Sequence, residues 1–531
     1  MNTVSLSTYR PRVGLPEAVL LVLCVLISIA SAWLGWISGL ALAAVIALPA
    51  AMLVSSMVFG ITGTIIVASA VVCFLLMNRI DEGVVLNFGV VSLKASYWLI
   101  MGAAVAIAAT NLLRLGMADR FERRRRGISR QFLFWTFFFA VVLLAGALYN
   151  HTEEVPVVVR DVPGEFLACL SILAPMLFVP LILHAPYHRP HLVLTVAAIV
   201  GLGGLAGLIM ASFGFLPGSV IDALGWASAN QGTAGLLRGR LPLGHPNAVA
   251  AVIILLLPIA VILGLVPGGR HFRTIYLGCA MFMFAGVLFS LSRSALLVTC
   301  AILGLTTIYI YMGRGRKTLT TYMLPVFFLF GLAGVMTYLL LSFDFSRFWS
   351  RGYYEEATLE RRENSMSTAV AVFLDYPILG ITPDALYTRL ELRPGWEPAM
   401  QDNISPIFYY KTRLTAETPH NLFLTVLAET GILGTLCLLG MFYTVFRNLW
   451  VLRRHPGLSD EQRHAIMAFI LGLLGFLMMG MFEALLMVGL RTAFLFWCMA
   501  GLGLRYALDV VAAADNDAAI RIPVDQPAAA E

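Results

Sequence analysis

Charge is what this sequence has least of. Of its 531 residues only 12% are Asp, Glu, Lys or Arg, while 59% are hydrophobic and the mean hydropathy is +0.85. A soluble domain is excluded, because so little polar surface is available to cover the core such a chain would form. The apolar runs show no period-two alternation, which excludes a membrane β-barrel. They recur instead at roughly the 20 residues that a helix needs to cross hydrocarbon. The reading is an all-α polytopic integral membrane protein.

Other absences narrow the chemistry. No Cys or His pair stands at ligand spacing and the outer loops hold no Asp-x-Asp, so a reaction that needs no metal or cofactor is expected. There is no Gly-rich phosphate loop, Ser-His-Asp order or nucleotide motif, which argues against direct use of nucleotide sugars. No nucleic-acid motif appears, and the net charge of +6 reflects cytoplasmic loops. The seven cysteines (Cys24, Cys73, Cys169, Cys279, Cys300, Cys437 and Cys498) all fall in apolar stretches and read as filler. The opening MNTVSLSTYRPRVG is short and basic and leads into a long span without a small-residue cleavage site, which reads as an uncleaved anchor starting in the cytoplasm. No internal repeat or pair of Gly/Pro-marked inverted halves supports a transporter architecture.

What is present is a succession of about fourteen candidate spans. They lie near 16–35, 38–58, 60–79, 96–114, 131–149, 166–185, 191–212, 247–267, 273–291, 294–312, 321–342, 421–447, 464–487 and 491–509. With the start inside, the basic loops fall on the cytoplasmic side. These are Arg114 to Arg130 with its four-arginine run, Pro186 to Pro190, Arg270 to Arg273, the stretch 314–317 and Arg447 to Arg463. The acidic loop with Glu153, Glu154, Asp161 and Glu165 then lies outside. Three regions follow: an N-terminal bundle over 1–240 with an outer loop at 213–246, a region 241–510 with a large, partly helical periplasmic loop at 343–420, and a cytoplasmic tail over 511–531 expected to be disordered.

The chain is organised around Thr418-Pro419-His420-Asn421, which ends the largest polar excursion and opens a long apolar helix. Pro419 stops the helix from extending backwards, and Asn421 is suited to cap the free amides of the first turn. His420 is therefore held at the mouth of a span. At about 100° per residue, Leu424, Leu427, Gly431 and Gly434 share the face of His420, and the two glycines imply close packing on a neighbouring helix, with Glu429 opposite. His-Asn, nine residues, Gly, two residues, Gly resembles the motif of the O-antigen ligase family. That family comprises membrane glycosyltransferases that take a glycan from an undecaprenyl pyrophosphate carrier, with related polysaccharide polymerases and protein glycosyltransferases.

Further residues fit that resemblance. Arg293 in SLSRSALLV has the family's Arg-x-x-x-Leu spacing and sits at an outer turn, where a guanidinium can grip phosphate and Ser292 and Ser294 can add hydrogen bonds. Arg362, in a stretch ending Pro377-x-x-Gly380, is similar to the family's outer-loop arginine. Met366 replaces the aromatic residue often found one turn later, so Arg361 stays open as the alternative. Arg238 and Arg240 either line the entrance for an anionic carrier or decorate a loop. His245 reads as structural, and Asn247 as the cap of the next span. Glu483 and Arg491 are placed to pair across a short hairpin, whether to orient the site or only to hold the fold. Tyr353, Tyr354, Trp396, Tyr409 and Tyr410 could stack on sugars or pack on the bilayer.

The resemblance covers about 240–510. It implies a donor glycan on undecaprenyl pyrophosphate at the periplasmic face of a bacterial inner membrane, and an acceptor that is lipid A core for a ligase or a growing chain for a surface-polysaccharide polymerase. A protein-glycosylating member is a third outcome. His420 is expected to activate the acceptor hydroxyl and the arginines to hold the pyrophosphate, with membrane lipids admitting the polyprenyl tail. The competing class is a transporter or flippase of the same lipid-linked glycans, which would need a charged path through the whole membrane.

Overall fold

A computed structural model describes residues 55–56, 58–72, 85–88, 91–112, 122–150, 157–158, 162–185, 189–212, 245–265, 270–290, 292–314, 352–381, 391–392, 419–487 and 490–520. Seven helices within these residues are long and apolar enough to cross a membrane: Arg123–Tyr149, Arg189–Ala211, Pro246–Leu265, Arg293–Ile310, Leu422–Arg453, Asp460–Gly480 and Leu490–Asn516. The protein is a helical polytopic membrane protein. Four further predicted spans coincide with shorter apolar helices, Val58–Val71, Ile100–Asn111, Ala168–His184 and Arg273–Phe289. The predicted spans at 16–35 and 321–342, and nearly all of 38–58, lie outside the described residues.

We number the helices α1 (Val58–Val71), α2 (Ala95–Leu112), α3 (Glu122–Asn150), α4 (Val162–Met176), α5 (Phe178–His184), α6 (Arg189–Ser212), α7 (Pro246–Leu265), α8 (Arg270–Phe289), α9 (Arg293–Arg314), α10 (Gly352–Asp375), α11 (Leu422–Arg453), α12 (Asp460–Gly480) and α13 (Leu490–Ile520). α7 is the axis of the bundle, buried on every side. Its sequence, apolar all round, is what such a position requires. Small residues allow backbones to meet: Gly207 of α6 faces Gly286 of α8, and Gly472 of α12 lies against the Leu255 carbonyl of α7. In hydrocarbon this close contact replaces the hydrophobic drive that water supplies elsewhere. α3 seats Trp135 over Gly440 and Phe139 near Gly434 of α11, while Trp497 of α13 stacks on Phe442 with ring centroids 5.8 Å apart.

Two short antiparallel pairings depart from an all-α reading. Val85–Phe88 (β1) pairs with Val91–Lys94 (β2), and Val157–Val158 (β3) pairs with Glu391–Leu392 (β4). The second pairing joins the acidic loop after α3 to the long loop that precedes α11, so both belong to one end of the bundle.

The opposite end is basic and pinned by charge. Arg505 of α13 is buried and donates to both oxygens of Asp509 at 3.0 Å and to the carbonyls of Leu183 and Ala185 at 2.8 and 2.7 Å. It thereby satisfies carbonyls at the end of α5 that no turn of helix would reach. Arg125, in the four-arginine run of α3, completes the group at 2.8 Å from Asp509. Tyr309 at the end of α9 bonds His464 at 2.7 Å, and His455 pairs with Asp515 at 3.1 Å. The pairing at Asp515 shows that the tail does not begin at 511: α13 runs unbroken to Ile520, correcting the expected disorder for that stretch. Residues 521–531 lie outside the described ones.

Candidate functional site

The site grows from the entrance of α11. Asn421 is its N-cap, with extended backbone and a side-chain oxygen that accepts from the amides of Phe423 at 3.0 Å and Leu424 at 3.1 Å. This is the cap the sequence predicts. His420 precedes the cap with a φ of 46°, the only non-glycine residue at positive φ among the described residues. Histidine tolerates this left-handed backbone better than most residues, yet such conformations still cost about 1–3 kcal/mol and collect at functional sites. Proline before it and the cap after it fix the direction in which the ring leaves the chain. His420 therefore does not continue the helical face, and its alignment with Gly431 and Gly434 does not hold.

Gly431 has another task. With φ 62° and ψ −167° it breaks α11, and the turn after α10 enters the break. Ile432 N donates to the Pro377 carbonyl at 2.9 Å, and Ile381 N donates to the Ala428 carbonyl at 3.1 Å. Gly380, at φ 71°, packs on the backbone of Glu429 and Thr430. The amide and carbonyl freed by the kink are thus satisfied by the Pro-x-x-Gly turn, as backbone buried at membrane depth must be. The helix that carries Arg362 is locked to the helix that His420 opens.

Beyond the end of α12 the chain turns without entering another helical turn, and Glu483 lies in this turn, not inside the span predicted at 464–487. Its carboxylate is 14% exposed and joins three segments of chain. Oε1 lies 3.0 Å from His420 Nδ1, Oε2 accepts from Asn247 Nδ2 at 2.9 Å, and His245 Nδ1 is 3.9 Å from Oε2. Burial alone would raise its pKa. The hydrogen bond from His420, the charges of His245 and His420, and the Asn247 amide outweigh that, holding the carboxyl below its ordinary value. An ionised carboxylate can only accept, so His420 must donate from Nδ1. In the neutral ring the lone pair is then on Nε2.

The structure therefore corrects the pairing expected for Glu483: its partners are His420, Asn247 and His245, and Arg491 is not among the groups that set its charge. Asn247 is likewise not a cap, since α7 already starts at Pro246; its amide serves Glu483. Its side-chain oxygen is buried without a hydrogen-bond partner among the described residues. Ser292 does cap, accepting from Ala295 N at 3.2 Å, and Ser294 lies 3.1 Å from it, so the first hydroxyl is spent on the start of α9.

Arg293 is the exposed first residue of α9. Gly475 of α12 contacts Ile302 of α9 and Ile254 of α7, and Gly480 contacts Leu422 of α11. Since α9 and α7 run opposite to α12, the starts of α7, α9 and α11 gather at the end where Glu483 lies. α10 ends in the turn that enters the break of α11, and its Arg362 Nε is buried without a hydrogen-bond partner among the described residues. Arg361 falls in α10, where only its backbone is described. Arg238, Arg240, Trp396, Tyr409 and Tyr410 lie outside the described residues, as do the side chains of Tyr353 and Tyr354. Among the described residues no group of three or more His, Cys, Asp or Glu could hold a metal ion.

The involvement of Asn247 and His245 was missed from sequence. A signal existed: Glu483 is the only acid between Glu461 and Asp509, and a lone carboxylate in so apolar a stretch needs a partner. His245-Pro246-Asn247 also repeats the residue types of Pro419-His420-Asn421, each set opening a span at the same end.

A search of curated proteins found no match to the chain. Residues 278–439 match the family model described as O-antigen ligase, a region that contains Arg293, Arg362, the Pro-x-x-Gly turn, His420 and Gly431. The match bears out the resemblance for that part of the chain, which is similar to the O-antigen ligase family within a helical membrane protein.

Proposed function

We propose that this protein transfers a glycan from an undecaprenyl-pyrophosphate carrier to an acceptor hydroxyl at the periplasmic face of a bacterial inner membrane, as an O-antigen ligase or a surface-polysaccharide polymerase. The observation that carries the reading is the His420–Glu483 pair, which directs a basic ring nitrogen away from the carboxylate at the mouth of a span. Charge supports the outer side for this site. The arginine-rich ends of α3, α11 and α12 lie opposite this site, and basic ends stay in the cytoplasm.

In the proposed reaction His420 Nε2 takes the proton of the acceptor hydroxyl as its oxygen attacks the anomeric carbon. The bond from that carbon to the pyrophosphate oxygen breaks with its electron pair. The products are the lengthened glycan, with inversion at the sugar, and undecaprenyl pyrophosphate. Pyrophosphate is a good leaving group, so the protein supplies position and charge; Arg293 and Arg362 balance the anion, with Arg238, Arg240 and Arg361 as further candidates.

The test is purified protein in detergent with an undecaprenyl-pyrophosphate-linked oligosaccharide as donor, read by release of undecaprenyl pyrophosphate. Wild type is expected to release it in the presence of lipid A core or of a second donor molecule as acceptor. His420→Asn keeps a residue that tolerates positive φ and a donor toward Glu483 but has no ring base. It should fold normally and lose about 100-fold or more in rate. Full activity in that variant removes His420 as the base, and transport of the donor across vesicles without any release would make the protein a carrier.

A further inference from the structure

Three residues far apart in sequence, Asn247, His420 and Glu483, meet through a single carboxylate at the outer end of the bundle. Each is fixed by its own backbone. Asn247 is in the first turn of α7, whose residues are nearly all buried, His420 is held between Pro419 and a capped helix, and Glu483 is in a turn in which Leu485 N donates to the Glu483 carbonyl at 3.0 Å. A carboxylate with one oxygen on an amide N–H and the other on an imidazole N–H has little freedom to rotate. A ring bonded to it cannot flip, because a flip would bring a carbon against Oε1.

We propose that Glu483 is a positioning residue, oriented by Asn247, which locks the His420 ring in the tautomer with hydrogen on Nδ1 and presents Nε2 to the acceptor hydroxyl. The inference rests on the assignment of His420 as base, and adds that Glu483 acts only through His420 and touches no substrate. Asn247 sets the direction of the carboxylate, and His245, 51% exposed and 3.9 Å away, adds positive charge beside it when protonated.

Two readouts test this independently of each other. In protein labelled with 15N-histidine, with the His420 resonances identified by their loss in His420→Asn, the neutral wild-type ring should show hydrogen on Nδ1 and none on Nε2. Glu483→Gln should populate the other tautomer, because an amide can donate as well as accept. A wild-type ring with hydrogen on Nε2 overturns the proposal whatever the activity. In the release assay, Glu483→Gln should lower kcat by about 100-fold with KM little changed, the pattern of a lost transition-state interaction. Glu483→Asp should recover part of that loss, since it restores a carboxylate. Equal loss in Gln and Asp variants that elute as monodisperse, thermally stable protein also refutes the role. Should His420→Asn keep full transfer while the wild-type tautomer is as stated, the base assignment fails and the positioning geometry stands.

Discussion

Replacing Gly431 by alanine tests the joint between α10 and α11 most severely. The residue sits at φ 62°, ψ −167°, a region that only glycine occupies at no cost. Forcing alanine to stay there costs about 1–3 kcal/mol. Its methyl group would also fall inside contact distance of the Ile378 carbonyl, which is backbone and cannot swing aside. Relief requires the Pro377–Gly380 turn to withdraw, which breaks the bond from Ile432 N to Pro377 O and that from Ile381 N to Ala428 O. Each such bond contributes about 0.5–1.5 kcal/mol net, and more where no water can replace it. The combined loss is about 2–6 kcal/mol, spread between strain and lost bonds. It is measured as a lowered midpoint of chemical unfolding in detergent micelles, with the release assay run alongside. Activity should fall with stability, because α10 carries Arg362 and would drift from α11. An alanine variant with the wild-type midpoint would show that the turn does not occupy the break, and the link between the two helices would have to be abandoned.

Two other perturbations probe opposite ends of the bundle. Arg505→Met should lower stability by about 3 kcal/mol, toward the low end for breaking a buried pair because Arg125 still reaches Asp509; denaturant titration checks it, and transfer by the folded fraction should persist. For acid, the Glu483 pKa is depressed in the folded protein, so its contribution is complete above the unfolded value of about 4.3 and disappears as pH falls through the lower folded value. Melting curves should therefore separate wild type from Glu483→Gln at pH 6 and converge as pH falls below the ordinary glutamate range; parallel curves throughout would contradict a pairing that depends on the charged carboxylate.

How much of this was legible before coordinates depends on whether the information was local. The entry of α11 was, because a proline that blocks a helix and an asparagine that caps it act over four residues, and the structure places the cap at Asn421. Helical membrane character was also legible, since length and apolarity of each run are properties of the run itself. Gly431 reads as a helix-packing residue because sequence cannot show that a turn more than fifty residues earlier, at Pro377–Gly380, supplies the missing hydrogen bonds. Glu483 was assigned to Arg491 because a nearby opposite charge is the simplest partner on paper. Its real partners come from 236 and 63 positions away, a distance that only packing reveals. The tail past 510 reads as disordered by composition, yet Asp515 pairs with His455 and the helix continues to Ile520.

The carboxylate at 483 is synthesised after both of the side chains it joins, Asn247 and His420. Until α12 and the turn after it have been threaded into the bilayer, Asn247 and His420 have nothing to hold them together. If Glu483 positions His420 as proposed, a half-inserted polypeptide lacks that alignment and gains it in one step when the turn after α12 settles against α7 and α11.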